Sequence, residues 1–139
     1  MISLTINGKK VEVETGTTVL QAARKAGINI PTFCHDDRLS SIGACRLCIV
    51  EIEGMRGLPA SCVTQATQDM VVYTHSENVM EARRTLLELL LANHPLDCLT
   101  CEKSGDCKLQ DYCYEYGVAE SSFNGDSHAY ELDDTNPYI

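Results

Sequence analysis

The densest chemistry in this sequence lies in residues 94–107, HPLDCLTCEKSGDC, where one histidine and three cysteines follow the spacing H-x3-C-x2-C-x5-C. Pro95 and Gly105 are placed to bend the backbone between them. A metal centre needs several ligands brought to one point by a loop stiff enough to hold them, and thiolates select zinc or iron–sulfur clusters among the common metals. Upstream, Cys34, Cys45, Cys48 and Cys62 form a second set with the spacing C-x10-C-x2-C-x13-C. Two such sets in one short chain predict a metal-bearing electron carrier.

The upstream set compares with the C-x4-C-x2-C…C run of plant-type [2Fe–2S] ferredoxins. Its first gap is longer, but the C-x2-C pair and the distant fourth cysteine are both there. A pair of irons takes two thiolates each. Gly43-Ala44 ahead of Cys45 lets the loop backbone come close to inorganic sulfide, so that N–H groups aimed at sulfur can stabilise added charge. The competing reading is a four-cysteine zinc site in a structural interaction module. Zinc favours two close C-x2-C knuckles, and this set has one. In the downstream set, spacing alone leaves the fourth ligand open. His94 precedes the three cysteines and Cys113 follows them. Cys113 falls with Leu109, Tyr112 and Tyr116 on one helical stripe, which predicts a small buried hydrophobe. His94 stands beside Pro95, where the chain turns directly into Cys98 and Cys101.

Composition narrows the class. A chain of 139 residues suits one medium domain or two small ones, and 44% hydrophobic residues make a thin core if there are two. With two Phe and no Trp, cluster binding is expected to be coupled to folding in each half. The N-terminus alternates as a strand, so no secretory leader is expected. The longest apolar run, LLELLLA, is broken by Glu88 and is too short to span a bilayer. Eight cysteines in such a chain are expected as metal ligands in the reducing cytoplasm rather than as four disulfides. Net charge is −9, and residues 95–139 carry ten acidic residues against two basic ones. That half repels phosphate, so nucleic acid is not an expected partner.

The elements that must position these residues follow from periodicity. Residues 2–7 and 11–14 alternate around Asn7-Gly8, a hairpin signal. Thr17 or Thr18 caps a short helix to Lys25, with Val19, Ala22, Ala23 and Ala26 on its apolar face and Gly27 at its end. Residues 34–48 read as a loop, and 48–53 and 69–74 as strands. The first part is therefore a small α+β unit with a helix across a mixed sheet. Thr74 and Glu77 suit a capping box for a long helix to about Asn93, with Val79, Arg83, Leu86, Leu87, Leu90 and Leu91 at helical spacing. Leu109, Tyr112, Cys113 and Tyr116 mark a second short helix, stopped by Gly117. Residues 118–139 read as an irregular tail. His35 is expected as a polar loop residue, and His75 and His128 as surface histidines.

The runs FCHDDRLSSIGACRLCIVEI, LPASCVT and ELLLANHPLDCLTCEKSGDCKLQDYCYEYG resemble the N-terminal region of one protein group. It comprises the large iron–sulfur subunit of NADH–quinone oxidoreductase (respiratory complex I), the iron-only hydrogenases and the NAD-linked formate dehydrogenases. The wording around Gly43–Arg46 and residues 92–107 looks closer to the hydrogenase and formate dehydrogenase chains. The resemblance implies a β-grasp [2Fe–2S] domain over residues 1–76. A linking helix and a helical [4Fe–4S] domain would follow over 77–139. Carried over by position, it implies one [2Fe–2S] cluster on Cys34, Cys45, Cys48 and Cys62, and one [4Fe–4S] cluster on His94, Cys98, Cys101 and Cys107. It further implies an electron relay between a flavin/NAD(H) subunit and a downstream redox site, without membrane insertion. Family members continue past a segment like DDTNPYI into more [4Fe–4S] motifs and a catalytic domain. This chain stops there, as a piece of a longer protein or a short subunit would, and it holds no constellation that could turn over a substrate.

Overall fold

The computed structural model describes residues 1–125 and 135–136. Strand β1 (Ile2–Ile6) pairs antiparallel with β2 (Lys9–Val13), from Ile2 opposite Val13 to Ile6 opposite Lys9. Asn7 and Gly8 turn between them with φ of 50° and 81°. Two consecutive positive φ angles make a turn whose twist matches the strands, and Asn-Gly tolerates both. Strand β4 (Val71–Tyr73) runs parallel to β1, with Thr5 opposite Val71, and β3 (Glu51–Ile52) lies antiparallel beyond it. The sheet is mixed, in the order β2-β1-β4-β3.

Helix α1 (Val19–Lys25) starts at Thr18, whose side chain accepts from the N–H of Gln21 while Gln21 accepts from the N–H of Thr18. This reciprocal pairing satisfies two donors the helix end would otherwise leave bare. Val19, Leu20, Ala22 and Ala23 are buried in a core with Leu4, Ile6, Val11, Val13, Ile30, Val50 and Val72, and Cys48 and Cys62 belong to the same cluster. No aromatic side chain is among its buried members. Alanines on the inner face of α1 let the helix sit low on the sheet.

The expected strands are shortened. Of 48–53 only Glu51–Ile52 joins the sheet. Residues 48–50 are drawn instead to 59–61, where the N–H of Val50 reaches the carbonyl of Pro59, that of Ser61 reaches Cys48, and Ile49 bridges Ala60. The expected capping box at Thr74 is also corrected. Helix α2 (Glu77–Ala92) is capped by Ser76, whose hydroxyl accepts from the N–H of Val79. Thr74 is fully buried, and Asn7 holds it at both its N–H and its hydroxyl.

Along α2 the buried stripe is Val79, Arg83, Leu87 and Leu91, whereas Leu90 is exposed and Leu86 half-buried. A step of four residues keeps one narrow face inward, where helix α3 (Lys108–Tyr116) and residues 47–49 pack. Gly117 ends α3. The described part of the tail, 118–125, is irregular, and His128 lies outside the described residues. Among the described residues no helix is long and apolar enough to cross a membrane.

The buried side chains form two clusters, and the second draws on both parts of the chain. Leu47, from the upstream cysteine loop, packs in one cluster with Leu87, Leu91, Cys113, Tyr116 and Val118, and Phe33 and Cys45 lie against it. Leu87→Ala should therefore cost roughly 2–5 kcal/mol, as for other buried leucines. It should weaken hydrogen-exchange protection at Leu47 as well as along α3. Loss confined to α3 would show that the core is not shared.

Candidate metal centres

Cys34, Cys45, Cys48 and Cys62 come from two loops that the fold presses together. The Cys48 carbonyl accepts from both the N–H of Ser61, at 3.0 Å, and its hydroxyl, at 2.7 Å. Helix α1 grips the same segment from the other side. Its first N–H groups, on Val19 and Leu20, donate to the carbonyls of Thr64 and Ser61, so donors with no intrahelical partner fix the residues around Cys62. Cys48 and Cys62 are buried, and Cys34 and Cys45 are half-buried. Within the C-x2-C turn Arg46 takes φ 59°, a left-handed kink that turns the loop back on itself.

The thiols of this set act on one another. The N–H of Cys45 donates to Cys34 Sγ at 3.4 Å. Burial, then a hydrogen bond with Cys48, then the nearby charges of Cys48, Cys34 and Cys45 push the Cys62 thiol up to about 12. Burial also works against ionising Cys45, but backbone hydrogen bonds from Cys34, Leu47 and Phe33 outweigh it and hold that thiol below its ordinary range. The two shifts run in opposite directions within one set. Thiols ligate metals as thiolates, so metal binding to such a set releases protons. All eight cysteines are free thiols.

Downstream, α2 delivers His94 one residue past its C-cap, Asn93. The chain then makes successive tight turns. The N–H groups of Thr100 and Cys101 both reach the carbonyl of Asp97, that of Ser104 reaches Cys101, and that of Asp106 reaches Lys103. Cys107 is the N-cap of α3 and has no side-chain cap bond. Its side chain thus stands at the N-terminal end of that helix. His94, Cys98, Cys101 and Cys107 all line one small cavity. Cys113 is not among its lining residues. Cys113 is buried in the second core cluster, and it lines an adjoining cavity of about 410 Å³ together with His94, Cys98 and Cys107. Burial, and then the proximity of Cys107 and Cys98, raise its thiol above the ordinary range. Among the described residues no three His, Cys, Asp or Glu side chains meet closely enough to hold a single ion.

The other histidines fall as follows. His35 is almost wholly buried, with Nδ1 2.8 Å from Ser41 Oγ and Nε2 3.0 Å from Asp37 Oδ1, so both ring nitrogens knit its own loop. His75 is exposed, and its Nδ1 meets the hydroxyl of Thr74.

A residue with no local signal links the two sites. Arg83 is fully buried on α2. Its Nε donates to the Leu47 carbonyl at 3.1 Å, Nη2 to the Ile49 carbonyl at 2.7 Å and Nη1 to the Tyr116 hydroxyl at 2.9 Å. Beside it, Arg84 Nε donates to the Tyr116 carbonyl. A second link is aromatic. Phe33, next to Cys34, meets Tyr112 of α3 edge-on with ring centroids 5.3 Å apart, and the Tyr112 hydroxyl accepts from the N–H of Thr32.

Residues 1–77 match the family described as 2Fe-2S iron-sulfur cluster binding domain. The chain belongs to that family. Residues 83–122 match the NADH-ubiquinone oxidoreductase-G iron-sulfur binding region. The chain thus carries one domain of the [2Fe–2S] type and one [4Fe–4S] binding region, and the zinc-module reading finds no support in either match. Among curated relatives, a subunit of the NADH-quinone oxidoreductase of Rhizobium meliloti is 48% identical over 96% of this chain. The NADP-reducing hydrogenase subunit HndD of Solidesulfovibrio fructosivorans is 48% identical over 90%. This chain spans only 16% and 22% of those two proteins. A crystal structure of an NAD+-reducing [NiFe]-hydrogenase in the H2-reduced state matches 98% of this chain with TM-score 0.89 and 38% identity, over 57% of that chain. The α+β reading, the resemblance and both cluster types therefore stand.

Gly43 tests how tightly the upstream loop is set. It has φ +65°, and a Cβ there would lie 3.2 Å from a Val63 methyl. Gly43→Ala should cost about 1–2 kcal/mol from the left-handed backbone alone, read as a lower urea midpoint. A midpoint equal to that of the parent protein would show that the loop yields freely.

Proposed function

We propose that this chain relays single electrons through two clusters, a [2Fe–2S] cluster on Cys34, Cys45, Cys48 and Cys62 and a [4Fe–4S] cluster on His94, Cys98, Cys101 and Cys107. The observation that carries the relay is the bridge between the two sets. Phe33 adjoins Cys34, Tyr112 lies on the helix that Cys107 begins, and their rings touch. The donor sets fit the clusters. Four interacting thiols, with backbone N–H groups turned toward sulfur, suit a two-iron core. His94, Cys98, Cys101 and Cys107 line one small cavity, and one imidazole with three thiolates is a donor set that suits a four-iron cluster. When bound, the clusters supply reversible one-electron storage. The protein's own residues fix the loops, bury the thiols and join the sites through a common core.

The division at 76/77 between the two binding regions belongs to the same proposal, since α2 begins there. So do the partners, by analogy with relatives that are named as subunits of NADH-quinone oxidoreductase and of NADP-reducing hydrogenase. These partners are a flavin/NAD(H)-binding subunit on one side and an iron–sulfur or catalytic unit on the other, in the cytoplasm. The acidic composition of residues 95–139 suits a protein partner and repels nucleic acid.

Reconstituted protein should hold about six irons per chain and show one rhombic paramagnetic signal from a reduced two-iron pair. Cys48→Ser should abolish that signal and spare the four-iron one. Protein that takes up two zinc ions and no sulfide would overturn the reading. For the second site, Cys113→Ser should keep the four-iron cluster, whereas His94→Ala should lose or alter it and His94→Cys should lower its potential by adding a negative ligand. If Cys113→Ser empties the site and His94→Ala does not, Cys113 is the ligand.

A further inference from the structure

Arg83 presents an electrostatic problem. Its guanidinium is fully buried, and among the described residues no carboxylate pairs with it. All three of its hydrogen bonds go to uncharged oxygens, two carbonyls and one phenol. Burial and the neighbouring carboxylate of Glu115 keep the Tyr116 hydroxyl protonated even though the cation beside it works the other way, so Tyr116 does not serve as an anion. An isolated cation taken out of water is strongly unfavourable unless a negative charge lies near it. The carbonyls that Arg83 holds belong to the upstream cysteine loop, where thiolate charge must collect. Leu47 and Ile49, whose carbonyls Arg83 holds, flank Cys48 on either side, and Leu47 also follows Cys45 by two residues.

We propose that Arg83 is the built-in counter-charge of the upstream iron–sulfur site. From α2 it clamps residues 47–49 through two carbonyls, and its unpaired positive charge favours the extra electron there. Arg83 is a positioning residue, not a ligand. The inference rests on the assignment of Cys34, Cys45, Cys48 and Cys62 as ligands, and it adds a residue outside the cysteine motif.

The chemistry of the clamp is specific. Each carbonyl of 47 and 49 would otherwise be a buried acceptor aimed at the core, and the planar fork of arginine meets two acceptors at once as a lysine cannot. Adding one electron converts one ferric iron of the pair to ferrous and adds one negative charge to the site. A fixed cation nearby stabilises that added charge, and hydrogen bonding and local charge are established controls of cluster potential. Because Nη1 of the same guanidinium holds Tyr116 of α3, the clamp also ties the upstream loop to the helix that starts at Cys107.

The test compares the intact chain with Arg83→Lys, Arg83→Gln and Arg83→Met, reduced stepwise with dithionite. Potentials are read from the two-iron paramagnetic signal, and iron and sulfide are counted in each preparation. Arg83→Gln and Arg83→Met should lower the midpoint potential of the two-iron signal. Arg83→Lys, which keeps the charge and loses the fork, should stay nearer the parent potential while releasing iron faster to a chelator. If the neutral variants hold no iron and Arg83→Lys does, retention follows the charge and the proposal stands. If Arg83→Lys loses its iron with them, the site needs the fork and not the charge, and the counter-charge is overturned. The same holds if all variants keep the parent potential. Absence of a two-iron signal in the parent chain itself would instead overturn the ligand assignment.

Discussion

Leu47 sits between two upstream cysteines, yet its side chain packs into the downstream core and its carbonyl is held by an arginine from α2. That one residue forces the two cluster regions to share a geometry. The loop carrying Cys45 and Cys48 cannot shift without disturbing Leu87, Cys113 and Tyr116, and the downstream helix cannot shift without pulling on the loop. Most of what is unusual here follows from this sharing: Phe33 reaches Tyr112, Arg83 lies inside, and no clean seam runs between the regions.

The fold must also hold together groups that resist being together. Burial first, and then the neighbouring thiols, oppose ionisation within such a set, as the upward push on Cys62 shows. The apolar core beneath them is built from aliphatic side chains, each contributing about 1.5–3 kcal/mol on burial. Hydrogen bonds to Cys48 from Ser61, and the grip of α1 on Ser61 and Thr64, therefore do much of the fixing. They restrain the backbone around the thiols through carbonyls and N–H groups and not through sulfur.

Local signals were the legible part. Asn7-Gly8, the cap at Thr18 and the stops at Gly27 and Gly117 act within a few residues, and the structure has each of them. The two cluster types were legible too, because a cluster imposes its dimensions on short cysteine-bearing loops. Long-range choices were not. Thr74 looked like a helix cap, but Asn7 claims it from 67 residues away. Residues 48–50 looked like sheet strand, but 59–61 compete for their hydrogen bonds. Periodicity put Arg83 on the inner stripe of α2 without saying what it would meet, since its carbonyl partners lie 34 and 36 residues upstream. Leu86 and Leu90 had the right spacing for burial, but among the described residues Leu86 is half-buried and Leu90 exposed.

The position of β1 has a consequence for how the chain assembles. It is an inner strand, with β2 on one side and β4 on the other, and its parallel partner begins at Val71. The hairpin β1–β2 can form as soon as residue 13 is made. The open edge of β1 must then wait while all four upstream cysteines are synthesised. Closing so long a loop is slow compared with making a hairpin or a helix. During biosynthesis the cysteine loops are therefore complete before the sheet that braces them, and the order of events allows iron delivery to a partly folded intermediate whose last step is the docking of β4.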